Sequence, residues 1–340
     1  MKNNAHRRFV VGVGLLCFAP SLFAEPADRP VFHSGDRVAL IGAGLVERAR
    51  LNGHIETALQ LAVGDEVKGI RFRNLGWSGD SVYNDARSYF GKPEEGRMRL
   101  RANIAEWKPQ VVVLNYGAGA ALSVGQGWTD QAGAGARSAG VLEEGLAVFV
   151  EGYQQIIDVV RTEAPDAVRE IVLVSPPPFE NRGRLLPDHQ ENNRRLAQFR
   201  QAIRDLAVKN KIRFVDLFEL MGGEAVSKEP VAHPLTTDGI HFSDTGYQRV
   251  ADALVQGLGY ASPPVSQSDR TVVQLREQTI EKNRLFFHRW RPANETYLFL
   301  FRKHEQGNNA KEIPQFDPLI AEQEKVIEGL RAKAFEAMGN

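Results

Sequence analysis

The chain has 340 residues, enough for one large α/β domain or two modest ones. With 43% hydrophobic and 25% charged residues, it is neither a disordered chain nor a collagen-like or coiled-coil rod. Lys+Arg and Asp+Glu both number 42, so the basic excess of a generic nucleic-acid or anionic-membrane binder is absent. The single cysteine, Cys17, excludes a disulfide scaffold, a zinc-ribbon site and a two-cysteine redox pair.

The first 24 residues have the pattern of an export signal. Lys2, Arg7 and Arg8 precede an apolar run over 9–18, and Ser21-Leu22-Phe23-Ala24 offers a cleavage site after Ala24. The run is too short to span a bilayer comfortably, and an uncleaved anchor is the alternative reading. Leu16 stands where a lipid-modified cysteine would want a small residue before it, which argues against lipidation of Cys17. Cleavage removes three basic and no acidic residues, leaving 39 basic against 42 acidic groups and no thiol. The expected product is exported to the periplasm or beyond, with no remaining membrane span.

Strands and helices then alternate. Apolar runs at 38–41, 111–115 and 171–175, an alternating stretch at 70–75 and the stretch 212–217 read as five strands. Helical spacing covers 45–63, 142–160, 188–208 and 246–258. Continuous apolar strands separated by helices imply a parallel sheet covered on both faces, with chemistry at the strands' carboxyl ends. Residues 117–145 hold eight glycines and are expected to form a loop or lid. Residues 261–269 read as a linker, followed by a helix from about Thr271 and a charged helix from about Asp317.

The turn Ile41-Gly42-Ala43-Gly44 invites comparison with a dinucleotide-binding loop. Glu47 occupies the third glycine position, where a carboxylate would repel phosphate. No acidic residue ends the next strand to hold a ribose. A nucleotide cofactor is therefore not expected.

Four segments follow successive strands: Ile41-Gly42-Ala43-Gly44, Asn74-Leu75-Gly76-Trp77-Ser78-Gly79-Asp80, Tyr116-Gly117-Ala118-Gly119 and Thr237-Asp238-Gly239-Ile240-His241. In this order they resemble the SGNH/GDSL hydrolase superfamily over residues 31–260. The resemblance implies a three-layer α/β/α sandwich around a five-stranded parallel sheet of flavodoxin-like type. It also implies His241 as general base, Asp238 as its orienter, and Gly79 and Gly44 as backbone donors to an oxyanion. Such a base is what a hydroxyl nucleophile needs, since a neutral hydroxyl attacks poorly.

Two positions depart from the family. Gly44 stands where the nucleophilic serine belongs, and Gly119 stands where the oxyanion asparagine belongs. Losing the nucleophile removes ordinary acyl-enzyme chemistry, and losing one oxyanion donor costs a further ~10²–10³ in rate. Ser78 or Ser81 could stand in, although a serine beside a turn glycine more often bonds the backbone. Alternatively His241 and Asp238 activate water, or the site only binds a ligand. A structural His241 capping the helix near Ser243 is a further possibility.

Residues 281–307 resemble the tail of exported SGNH-like proteins from planctomycete and verrucomicrobial bacteria, in which the first turn often lacks serine. Phe286, Phe287, Trp290, Tyr297, Phe299 and Phe301 lie there beside Arg289, Arg291 and Arg302. The stretch suits either a sugar-binding surface or an aromatic strap over the domain, held by pairs such as Arg289 or Arg291 with Glu295. His288 and His304 lack metal-ligand spacing, so neither a metal nor another cofactor is expected.

The expected organisation is a signal over 1–24, a hydrolase-like domain over 31–260 and a C-terminal helical extension over 261–340. The leading expectation is an ester hydrolase with a degenerate site, acting on acetyl or other ester groups of small molecules or polysaccharides. A non-catalytic glycan-binding protein and an envelope scaffold are the alternatives.

Overall fold

The computed structural model describes residues 29–339 except 90, 127–138, 184, 264, 265 and 267. The export-signal pattern lies outside the described residues. Five parallel strands form one sheet in the order β2-β1-β3-β4-β5. They are β1 (Arg37–Gly42), β2 (Arg71–Asn74), β3 (Val111–Asn115), β4 (Glu170–Val174) and β5 (Arg213–Val215). Every residue of β3 is buried, as an unbroken apolar run in a doubly covered sheet requires.

The helices are α1 (Gly44–Ala49), α2 (His54–Ala62), α3 (Pro93–Trp107), α4 (Ala118–Gln126), α5 (Ala139–Glu163), α6 (Gln190–Asn210), α7 (Leu217–Leu220) and α8 (Asp244–Gly257). Leu100 and Ile104 of α3, Tyr153 and Ile156 of α5, and Phe199 and Ile203 of α6 build the core on one face. Ile55 and Leu59 of α2, with Val250 and Leu254 of α8, build it on the other. The result is the three-layer sandwich expected. From β1 the chain passes to β2 on one side and then to β3 on the other. This reversal opens a crevice at the strands' carboxyl ends.

Three local expectations change. The helical run expected over 45–63 is two helices, because Gly53 adopts φ +67° between them. A Cβ there would stand 3.1 Å from the Arg276 carbonyl oxygen, so the break also admits a neighbouring helix. The fifth strand is shorter than expected and gives way to α7, whose first turn Asp216 caps by accepting the Glu219 N–H. The glycine-rich segment 117–145 is not one loop. Its ends are the helical α4 and the start of α5, and 127–138 lie outside the described residues.

Beyond the sandwich come α9 (Arg270–Trp290), α10 (Glu295–Leu298), α11 (Lys303–Gln306) and α12 (Phe316–Gly339). Asp269 starts α9 by accepting the Thr271 and Val272 N–H groups. The helix packs on α2 and on the edge strand β2, shielding an edge that would otherwise template aggregation. Its anchor is the fully buried Lys282, whose Nζ donates to Glu56 Oε2 (2.5 Å), the Phe72 carbonyl (3.1 Å) and Asn283 Oδ1 (2.8 Å). Burial lowers the Lys282 pKa, against the opposing pull of Glu56. α12 lies along α9 and ties back through Arg331, which donates to the Gln60 carbonyl at 2.8 Å.

The expected Arg289 or Arg291 to Glu295 pair is not formed. Glu295 pairs with Arg99, Arg289 with Glu106 and Asp317, and Arg291 with Glu47. Each arginine therefore bridges distant segments. The aromatics divide as well. Phe286 and Trp290 pack inward on Trp107 and Trp77, whereas Phe299 and Phe301 are exposed.

Candidate active site

The crevice is a cleft of about 920 Å³ lined by Gly44, Ser78, Gly79, Gly117, Gly119 and His241, among others. The fold thus gathers all four sequence segments at one place. Asp238 and His241 face each other across one turn, with His241 Nδ1 2.6 Å from Asp238 Oδ2. Asp238 Oδ1 accepts the N–H groups of Ile240 (3.0 Å) and His241 (2.8 Å). Burial opposes ionisation of this carboxyl. The His241 ring and the two N–H donors outweigh burial and hold its pKa down to about 2. A carboxylate bonded to Nδ1 fixes the imidazole tautomer and leaves Nε2 as the basic nitrogen.

The turn that carries this pair is fastened by Glu180, which sequence reasoning missed. Its buried carboxylate accepts the Leu235 and Thr236 N–H groups at 3.0 and 2.8 Å, and the Thr236 hydroxyl. Thr236 Oγ1 in turn accepts the Gly239 N–H at 3.1 Å. Nothing in the sequence marks Glu180, because its partners are backbone groups 55 and 56 residues away. Ser243, not His241, caps α8, accepting the Gly246 N–H at 3.1 Å. The helix-capping alternative for His241 is thereby excluded.

The second turn is fixed on its far side by a buried network. Asp80 Oδ2 accepts from Arg87 Nε (2.7 Å), the Tyr116 hydroxyl (2.8 Å) and Asn84 Nδ2 (3.3 Å). Burial and the Asp80 charge both push the Tyr116 pKa up, so Tyr116 stays a donor. Gly76 makes the turn possible, since a Cβ there would sit 2.2 Å from the Glu47 backbone nitrogen. Gly79 adopts φ +80° and its N–H has no partner among the described residues.

The two serines separate. Ser81 is a turn serine: its hydroxyl donates to Asp85 Oδ1 at 2.6 Å and accepts the Tyr83 N–H at 3.1 Å. Ser78 is exposed to the cleft, and its hydroxyl has no hydrogen-bond partner among the described residues. Its Oγ lies 3.7 Å from where a Cβ on Gly44 would stand. The expectation that Ser78 bonds the backbone through its hydroxyl is not met; its N–H donates to Glu47 instead. Among the described residues nothing lies within 4 Å of a Cβ added at Gly119.

Among the described residues no group of three or more His, Cys, Asp or Glu side chains could hold a metal ion. No helix there is long and apolar enough to cross a membrane. Glu47, the residue that spoils the dinucleotide motif, is engaged by Ser78 and Arg291.

A parallel five-stranded α/β/α sandwich with these turns at its carboxyl edge is an SGNH-type hydrolase fold. The model of the GDSL-like lipase/acylhydrolase family matches residues 42–249, and the chain belongs to that family. Among solved structures it is similar to BT4096, described as a gut microbial diltiazem-metabolizing enzyme. The two share 13% identity and a TM-score of 0.59, over 90% of this chain and 95% of that one. It is also similar to Axe2, an acetylxylan esterase from Geobacillus stearothermophilus, at 19% identity and a TM-score of 0.47, over 68% of this chain and 97% of that one. No curated protein matches the sequence.

Proposed function

We propose that the protein is an exported ester hydrolase that removes acyl groups, such as acetyl, from a small-molecule or polysaccharide substrate. His241 is the base, Asp238 its orienter, and the N–H groups of Gly79 and Gly44 the oxyanion donors. The observation that carries this reading is the Asp238–His241 pair, closed at 2.6 Å on the wall of a cleft that also presents Ser78 and Gly79. His241 Nε2 takes a proton from an oxygen nucleophile beside Gly44, either water or the Ser78 hydroxyl. That oxygen attacks the ester carbonyl, and the backbone donors hold the resulting oxyanion. Collapse breaks the acyl C–O bond, and the departing alkoxide takes the proton back from His241. If Ser78 attacks, an acyl-serine forms first and water then hydrolyses it by the same steps.

The export pattern and membership of a lipase/acylhydrolase family motivate the substrate class. The test is hydrolysis of aryl acetates and acetylated xylo-oligosaccharides by the chain lacking residues 1–24, beside His241→Ala and Ser78→Ala. Loss of activity in His241→Ala supports the reading, and Ser78→Ala separates serine from water as the nucleophile. Equal background rates in wild type and His241→Ala sink it. A second reading, glycan binding without turnover, draws on the space beside Gly119, where no described residue lies within 4 Å of an added Cβ. It predicts saturable glycan binding by a protein that hydrolyses nothing.

A further inference from the structure

Glu47 sits on α1 one turn beyond Gly44, and its Oε2 accepts from two donors. One is the Ser78 N–H, at the near side of the second turn. The other is Arg291 Nη1, 3.1 Å away and 244 residues distant in the chain. The Arg291 guanidinium also lies 3.7 Å from the centre of the Trp77 ring. Trp77 is held edge-on between Trp290 at 5.6 Å and Tyr89 at 5.2 Å. The residue at the end of α9 therefore reaches the turn by two routes, through Glu47 to Ser78 and through Trp77 directly.

We propose that the C-terminal extension completes the hydrolase site, with Arg291 acting through Glu47 and Trp77 as a positioning residue for the Ser78–Gly79 turn. This rests on the reading of that turn as the oxyanion side of an ester hydrolase. The Asp80 network grips the turn from its far side, but among the described residues only Glu47 bonds the Ser78 amide. Glu47 takes the Ser78 N–H, while the Gly79 N–H has no partner among the described residues. Glu47 and Arg291 are both largely covered, at 15% and 23% side-chain exposure, and Arg291 is the cation hydrogen-bonded to Glu47, with Arg50 contributing charge nearby. Without Arg291, Glu47 is drawn toward solvent and the Ser78 amide loses its fixed acceptor.

The test compares full-length wild type with Arg291→Met and Arg291→Lys. Hydrogen exchange of backbone amides over 76–81 is the readout that does not need activity. Arg291→Met is expected to speed exchange there by about tenfold while other buried amides keep their protection. Arg291→Lys keeps a charge for Glu47 but loses the flat stacking on Trp77, and should restore protection in part. Unchanged exchange in a folded Arg291→Met protein overturns the proposal. If that variant does not fold, faster exchange over 76–81 in Arg291→Lys supports the proposal and unchanged exchange overturns it. In the aryl acetate assay, Arg291→Met should lower kcat about tenfold with KM held within about twofold. An unaltered kcat overturns the proposal. If the wild type hydrolyses nothing, the hydrolase reading fails by itself, and the exchange result still decides whether Arg291 positions the turn.

Discussion

Ser78 Oγ lies 3.7 Å from the point where a side chain on Gly44 would begin. A serine at 44 would therefore enter at ordinary contact distance, in the cleft that His241 also lines. An asparagine at 119 would meet no described residue within 4 Å of its Cβ. The double variant Gly44→Ser/Gly119→Asn is expected to fold and to hydrolyse aryl acetates at least about 10²-fold faster than wild type. Stopped-flow release of the phenol, with a burst matching an acyl-enzyme, checks it. A folded but unimproved double variant would show that His241 is not directed at position 44.

The Asp238 carboxyl is held near pKa 2 in the folded chain, against about 3.9 for an unfolded aspartate. A depressed folded-state value means that the pair stabilises the fold above the unfolded pKa. That contribution is lost as pH falls from about 4 through about 2. The side chain is 42% exposed, so solvent screening keeps the effect below about 1 kcal/mol. Thermal unfolding of wild type and Asp238→Asn should differ slightly at pH 6 and converge near pH 2. A gap that widens on acidification would contradict the assignment.

The Glu180 clamp should govern the same turn without touching substrate. Its carboxylate accepts three donors from Leu235 and Thr236, so Glu180→Ala leaves buried N–H groups unpaired. Each orphaned group costs about 1–3 kcal/mol. Glu180→Ala is expected to lose more stability in urea titration than Glu180→Gln, which retains an acceptor. A neutral result for the alanine variant would dismiss the clamp.

The parts of this molecule that the sequence makes legible are those with local causes. Val111–Asn115 declares itself as a buried strand because every residue is apolar or ends the strand. Asp238 and His241 are legible because their partnership needs only one turn of chain. The break at Gly53 does have a local sign in Asn52-Gly53, a turn dipeptide, but the apolar spacing that continues through 45–63 masks it. Ala118–Gln126 was hidden for the opposite reason: a Gly/Ala-rich sequence carries little periodic signal. Ser78 and Ser81 cannot be told apart by spacing, because what separates them is Asp85 on one side and the open cleft on the other. Arg291 was mispaired because Glu295 is near in sequence, whereas its true partner, Glu47, is brought close only by the path of α9.

That path depends on Lys282. Its ammonium and the Glu56 carboxylate are 2% and 3% exposed, and Asn283 completes the cluster by donating to Glu56 Oε1 at 2.7 Å. Removing only the lysine strands a buried carboxylate, which costs about 3–5 kcal/mol. Removing both charges with side chains of similar length eliminates that penalty, because the pair's mutual attraction does little more than offset its own desolvation. Lys282→Met should therefore be markedly destabilised in urea unfolding, and Lys282→Met/Glu56→Gln should recover most of the loss. Because α9 delivers Arg291 to the second turn, the single variant should also speed hydrogen exchange over 76–81, and the double variant should restore it. Recovery of stability without recovery of exchange would show that docking α9 on β2 is not enough to place Arg291.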